Sequence, residues 1–329
     1  MAGLKISVCG VVALAAGLCL YSIQPQEDQS GRRLAHDLPS ETSASLTTSP
    51  APVAVAPGAT AETRTQIPVE QAPSAQVLKP TQTVAPAPVP AQSAPARHAR
   101  WDRWLKKYVS AAGWVDYTAL QKNGLPELDA YLQELAATRL SDLGNPKEEM
   151  AFWINAYNTV CIRTLVDHKL PKEVPNTVFF GANIFKEERY EIAGKVRTLD
   201  EIEHEILRVK FKDNRVHAAV VCGASSCPRL RPEAYTGDQL DAQLDEEARY
   251  WISVGKDLSG KRKNYLDRSG KTFYASKIFS WFQEDFGDSD AGVLQFIKRF
   301  ATVEDRAFLN QNRVRLRFLD YDWALNRHE

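Results

Sequence analysis

The sequence predicts an α+β protein: a helix-rich single domain with a small central sheet, following an N-terminal transmembrane helix and a disordered Pro/Ala-rich linker. Three observations predict it. All seven tryptophans lie at Trp101 or later, whereas Ser22 to Arg100 holds no aromatic residue and twelve of the eighteen prolines. Residues Ile6 to Ile23 are almost wholly apolar. Beyond His98, apolar residues at helical spacing alternate with short β-branched runs bounded by turn residues.

The apolar run comes first. Roughly 20 such residues cross a bilayer as a helix, and this run sits at the lower edge of that range. It reads as an uncleaved signal anchor, with a cleaved signal peptide as the alternative. Bulky Leu18-Cys19-Leu20-Tyr21 supplies no small-residue cleavage site after the apolar core. Lys5 precedes the run, and Glu27 and Asp28 follow it. The positive-inside rule then keeps the N-terminus in the cytoplasm. The expected location is the inner membrane, single-pass, with the C-terminal domain in the periplasm. Residues 24–97 read as a tether of Ala-Pro and Val-Pro pairs, a semi-rigid spacer that lacks the apolar surface to fold.

Residues 98–329, about 230 in all, suffice for one sizeable domain. Trp101–Ala112 and Leu125–Ala137 read as amphipathic helices, and a long helix runs from about Lys147 to His168 behind Asn145-Pro146. Val178–Phe180 and Arg189–Ile192 read as short strands. Thr198-Leu-Asp-Glu201 and Thr236-Gly-Asp-Gln239 match capping boxes, each opening a helix. Val216–Cys222 is a continuous apolar run, expected as a buried central strand. Asn264–Leu266 and Thr272–Tyr274 flank a turn and predict a hairpin. Ser276–Phe286 and Ala291–Phe300 read as helices, and Arg313–Leu319 as an edge strand. The charges of Lys256–Arg268 read as a solvated loop.

Forty-one basic and forty-one acidic residues cancel, which removes the basic footprint on which nucleic-acid binding rests. Chemistry concentrates in Arg215-Val-His-Ala-Ala-Val-Val-Cys-Gly-Ala-Ser-Ser-Cys-Pro228, where His217, Cys222 and Cys227 surround a turn of small residues. A thiol nucleophile needs a base and a lowered pKa, and small neighbours let backbone N–H groups reach an oxyanion. Cys222 is the expected nucleophile and His204 its base, with Glu203 or Asn155 orienting the imidazole. Strand alternation would put His217 and Cys222, five apart, on opposite faces. Asn155 and Asn158, three apart on an apolar helix, share a face beside the site. Cys161 reads as a buried thiol. Two other readings stay open. Cys227 serves as a disulfide partner of Cys222, or as a second, redox-active thiol. A Cys2His2 metal set matches no common zinc spacing, so neither metal nor cofactor is expected.

Ala151-Phe-Trp-Ile-Asn-Ala-Tyr-Asn158, Leu199-Asp-Glu-Ile-Glu-His-Glu-Ile-Leu-Arg208, the His217…Cys222…Ser-Cys-Pro228 stretch and Tyr321-Asp-Trp-Ala-Leu-Asn326 occur in that order. Together they resemble the DUF547 family, a domain of unknown function, from roughly Trp114 to Asn326. The resemblance implies, for some members, a relation to papain- or transglutaminase-like thiol enzymes. The expected activity is thus hydrolysis or acyl transfer at peptide or amide bonds, with a cell-envelope peptide or protein as partner. The alternative is a non-catalytic envelope module stapled by Cys222–Cys227.

Overall fold

The computed structural model describes residues 94–174, 184–187 and 189–327. The anchor, nearly all of the tether and the Val178–Phe180 strand lie outside the described residues. Among the described residues no helix is long and apolar enough to cross a membrane.

The architecture is helix-rich with two small sheets, and its centre is a helix. Helix α1 (Ala99–Tyr108) buries Trp101, Trp104, Leu105 and Tyr108, the one-face spacing of an amphipathic helix. It stops short of the expected Ala112 because Gly113, at φ +85°, turns the chain against Arg229; a Cβ there would lie 2.5 Å from the Arg229 Cβ. Helix α2 (Leu125–Ala137) packs on α1, with the rings of Trp101 and Tyr131 stacked at 5.8 Å. Helix α3 (Pro146–Asp167) starts where Asn145 accepts from the amides of Lys147 and Glu148, each at 3.0 Å. From Met150 to Ile162 every residue of α3 is buried, the signature of a helix enclosed by the core on all sides.

Strand β1 (Tyr190–Ile192) pairs with β2 (Lys195–Arg197) in a tight antiparallel hairpin, a partner the sequence reading did not identify. The first capping box forms as expected: the Thr198 amide donates to Glu201 at 2.8 Å, and the Glu201 amide to the Thr198 hydroxyl at 3.1 Å. It opens α4 (Glu201–Phe211), which is wound as a π-helix. The second box does not form. The Gly237 amide instead donates to the buried Glu148 carboxylate at 2.8 Å, the Thr236 amide turns to Gln243, and α5 (Leu240–Ser253) starts later.

The expected central strand Val216–Cys222 is also absent. Asn214–Ala218 is a 3-10 turn, and the following backbone bonds to a side chain of α3 rather than to a neighbouring strand. This segment therefore joins neither sheet, and the buried strand of the larger sheet is Thr272–Ala275, which packs Phe273 and Ala275 into a second core. Strand β3 (Tyr265–Asp267) and β4 (Thr272–Ala275) form the expected hairpin, with Leu266 opposite Phe273. Strand β5 (Arg315–Phe318) joins β4 in parallel at the edge. Between them, Ile278–Trp281 and Gln283–Phe286 are single turns, followed by α6 (Asp290–Phe300) and α7 (Val303–Gln311). The sequence reading missed α7, which buries only Leu309 and so carries little apolar periodicity.

Asn145→Ala removes the cap of the central helix and is expected to lower stability by about 1 kcal/mol. Urea unfolding checks it: the midpoint should fall at unchanged slope, and a midpoint equal to wild type would mean the cap contributes nothing.

Candidate active site

The buried face of α3 positions the thiols. The Asn158 amide group donates to the Ala219 carbonyl at 2.9 Å, and its oxygen accepts from the Val221 amide at 3.0 Å. Asn155 holds Tyr235 in the same way, at 2.8 and 3.0 Å. Each amide bonds a carbonyl and an N–H of the backbone, and Asn155 is not among the cavity-lining residues, so it holds structure and does not orient an imidazole. The far side of the thiol turn is fixed by the returning C-terminal segment. The Ser225 amide donates to the Ala324 carbonyl at 2.7 Å, and the Asn326 amide to the Gly223 carbonyl at 2.8 Å. Gly223 sits at φ +82°.

These constraints open a cavity of about 210 Å³. Cys222, His217, His204 and Glu203 all line it, as do Tyr321 and Trp281. Strand alternation does not separate His217 from Cys222, because the segment is not a strand. Cys161 is buried, as expected, and burial pushes its thiol pKa well up.

The two imidazoles differ in their free lone pairs. His204 Nδ1 lies 2.9 Å from an Arg208 guanidinium nitrogen. A guanidinium only donates, so Nδ1 accepts and the proton sits on Nε2, 3.6 Å from Asp200. Its basic nitrogen is thus occupied. Glu203 does not orient this ring; it accepts from the Tyr157 hydroxyl at 2.8 Å. In His217 the arrangement is reversed. Its Nε2 lies 2.7 Å from Asp285 Oδ2. Burial disfavours the Asp285 charge, but hydrogen bonds and charge from His217 and Arg208 outweigh it and hold the carboxyl well below the usual range. An ionised Asp285 accepts from Nε2–H, which leaves Nδ1 as the basic nitrogen. Phe282 stacks on the ring at 4.5 Å.

Among the described residues Cys161, Cys222 and Cys227 are free thiols. Cys227 is buried and Cys222 half-buried. The Cys222 amide donates to Cys227 Sγ at 3.0 Å, and the Tyr321 hydroxyl lies 3.3 Å from Cys222 Sγ. Burial opposes ionisation of Cys227. Hydrogen bonds from the Cys222 thiol, the Tyr321 hydroxyl and the Cys222 amide, with the charge of Lys263, prevail and lower its pKa. For Cys222 the hydrogen bond to Cys227, and then burial, push the thiol well up. Within the pair these contacts favour charge on Cys227 over Cys222. Lys263 is not part of a solvated loop: it is 7% exposed and donates to the Cys227 carbonyl. Burial pulls its ammonium down to about 8, against the pull of the thiols.

Of the small residues, Ser225 and Ser226 do not supply the expected backbone oxyanion donors, whereas the Ala224 amide donates to the Cys222 thiol. The amides of Ser225, Ser226 and Cys227 are taken by the carbonyls of Ala324, Asp322 and Ala224. Among the described residues no group of three or more His, Cys, Asp or Glu is placed to hold a metal ion. Asp285 and Lys263 were missed in the sequence. Asp285 is one acid in the run Glu284-Asp-Phe-Gly-Asp288, with no local cue to mark it. Tyr321 and Trp323 were legible only as part of a motif.

A family model described as "Protein of unknown function, DUF547" matches residues 140–252. These residues are a DUF547 domain. The match spans α3, α4, the thiol turn and α5, and so contains Asn158, His204, His217 and both thiols. Asp285, Tyr321 and Lys263, which complete the cavity and its surroundings, come from beyond the matched DUF547 residues. No curated protein and no solved structure matches the chain.

Cys227→Ala removes the main cause of the raised Cys222 pKa. Iodoacetamide alkylation of Cys222, followed by peptide mass spectrometry across pH, is expected to show its midpoint moving down in the variant. A midpoint that stays put or rises would mean that Cys227 does not hold the charge.

Proposed function

We propose that the domain is a cysteine-dependent hydrolase or acyl transferase acting on peptide or amide bonds. The observation that carries this reading is the His217–Asp285 pair at 2.7 Å in the cavity that also holds Cys222. A thiol, an imidazole with a free nitrogen and a carboxylate that fixes its tautomer are the parts that acyl transfer needs.

In this reading His217 Nδ1 takes the Cys222 proton, and the sulfur attacks the carbonyl carbon. The C–S bond forms, and the oxyanion develops within reach of the Tyr321 hydroxyl. As the C–N bond breaks, the imidazolium returns its proton to the departing amine. Water or a second nucleophile then attacks the thioester, breaks C–S and restores the thiol. Asp285 keeps the imidazolium paired throughout. Cys227 competes with Cys222 for the negative charge and so restrains the nucleophile. His204 is a neighbour in this scheme and not the base.

The test uses the full-length protein in detergent with p-nitrophenyl acetate, an activated acyl donor. Acetylation of Cys222, read by mass spectrometry, is expected in wild type. His217→Ala should slow it by about 10²–10⁴-fold, and His204→Ala by less than about tenfold. The reading fails if His217→Ala acylates like wild type. It also fails if Cys222 and Cys227 are linked as purified, in which case a stapled binding module takes its place.

We also propose, from Ile6–Ile23, that the domain is tethered to the inner membrane and faces the periplasm. The full chain should stay with membranes through an alkaline carbonate wash, and deletion of residues 1–23 should leave the protein in the cytoplasm. Recovery of the wild-type chain in the soluble fraction would overturn the tether.

A further inference from the structure

We infer that the cavity selects substrates with a cationic group, an ammonium or guanidinium, next to the acyl carbon that Cys222 attacks. This rests on the reading of Cys222 as the nucleophile, and it adds a substrate class to that reading.

One wall is aromatic. The Trp281 ring lies 4.8 Å from Tyr321 and 5.7 Å from Trp323, and Tyr321 lies 4.5 Å from Trp323. Trp281 lines the cavity and keeps 43% of its surface exposed. The α4 side is acidic, with Asp200 and Glu203 on the cavity lining. No lysine or arginine is among the described residues that line it. Ring faces carry the negative end of a quadrupole, and carboxylates beside them complete the usual cage for a cation.

The cations nearby are already engaged. Arg208 is held by Glu284, by Asp285 and by His204 Nδ1. Lys263 is buried and donates to the Cys227 carbonyl. Asp200 lies 3.5 Å from Lys186, an exposed lysine whose pairing in water is weak. Glu203 has no basic partner among the described residues; its carboxylate accepts from the Tyr157 hydroxyl. The cavity thus carries carboxylate charge that its own lining does not neutralise. Arg208 stands 4.8 Å from the Phe282 centroid, so one ring of the site already accepts a cation. The chain as a whole is neutral, so any preference for cations arises in the cavity and not from net charge.

Charge-selective thiol labelling tests this without needing a substrate. Full-length protein in detergent is treated with three methanethiosulfonates that carry a trimethylammonioethyl, a methyl or a sulfonatoethyl group. Modification of Cys222 is timed by peptide mass spectrometry, and each rate is divided by that of the same reagent on free cysteine. The cationic reagent should exceed the neutral one by about fivefold or more, and the anionic one should fall below it. Glu203→Gln should remove most of the preference, and Asp200→Asn is a second variant should the first misfold. Glu205→Gln, an exposed change on the same helix, should leave the preference intact. Equal normalised rates, or a preference unchanged in both cavity variants, would overturn the inference while leaving the nucleophile in place. If even the neutral reagent fails to modify Cys222, the nucleophile reading itself is what fails.

Discussion

The site depends on the amide of Asn158. A helix enclosed on every side has no solvent face for polar groups, so each must find a buried partner. Asn158 meets that requirement by bonding both the donor and the acceptor of the chain between Ala219 and Val221. That pair of bonds substitutes for a strand ladder and delivers Cys222 to the cavity. Asn155 does the same for Tyr235, three residues earlier on the helix. Losing either amide would strand two buried backbone groups, which accounts for polar residues inside an otherwise apolar helix.

A second constraint is electrostatic. Arg208 joins three groups of the site: it donates to Asp285 and Glu284 and occupies His204 Nδ1. Through Asp285 it fixes the tautomer of His217, and through His204 it consumes the rival lone pair. One guanidinium thereby decides which of two nearby imidazoles is available as a base. Lys263 acts on the thiols from behind, where its charge favours ionisation of Cys227. The cavity also has acidic and aromatic lining residues, and no lysine or arginine is among its described lining residues.

Much of the helical framework was legible in the sequence because its signals are local. Asn145-Pro146 announced the start of the central helix, Thr198 and Glu201 announced the next, and Asp267 to Gly270 announced a hairpin. Errors arose where a distant group outbid a local signal. Thr236 and Gln239 fit a capping box, but the Glu148 carboxylate, 89 positions away from Gly237, took the amide between them. Val216–Cys222 has the composition of a buried strand, and Val216 to Val221 are buried, yet the Ala219 carbonyl and the Val221 amide are satisfied by a side chain and not by a neighbouring strand.

By itself the sequence determined which reactive residue types stand together, the thiols and the imidazoles, and the segments on which they stand. It also determined where helices start, because caps and turns act over three or four residues. Only the tertiary structure decided which imidazole keeps a free ring nitrogen and which thiol receives the hydrogen bonds and charge that favour ionisation. Those properties depend on Asp285, Arg208, Lys263 and Tyr321, which approach from up to 99 positions away in the chain. Proton affinity is set by the charges, donors and burial around a group, and none of these follows from sequence neighbours alone.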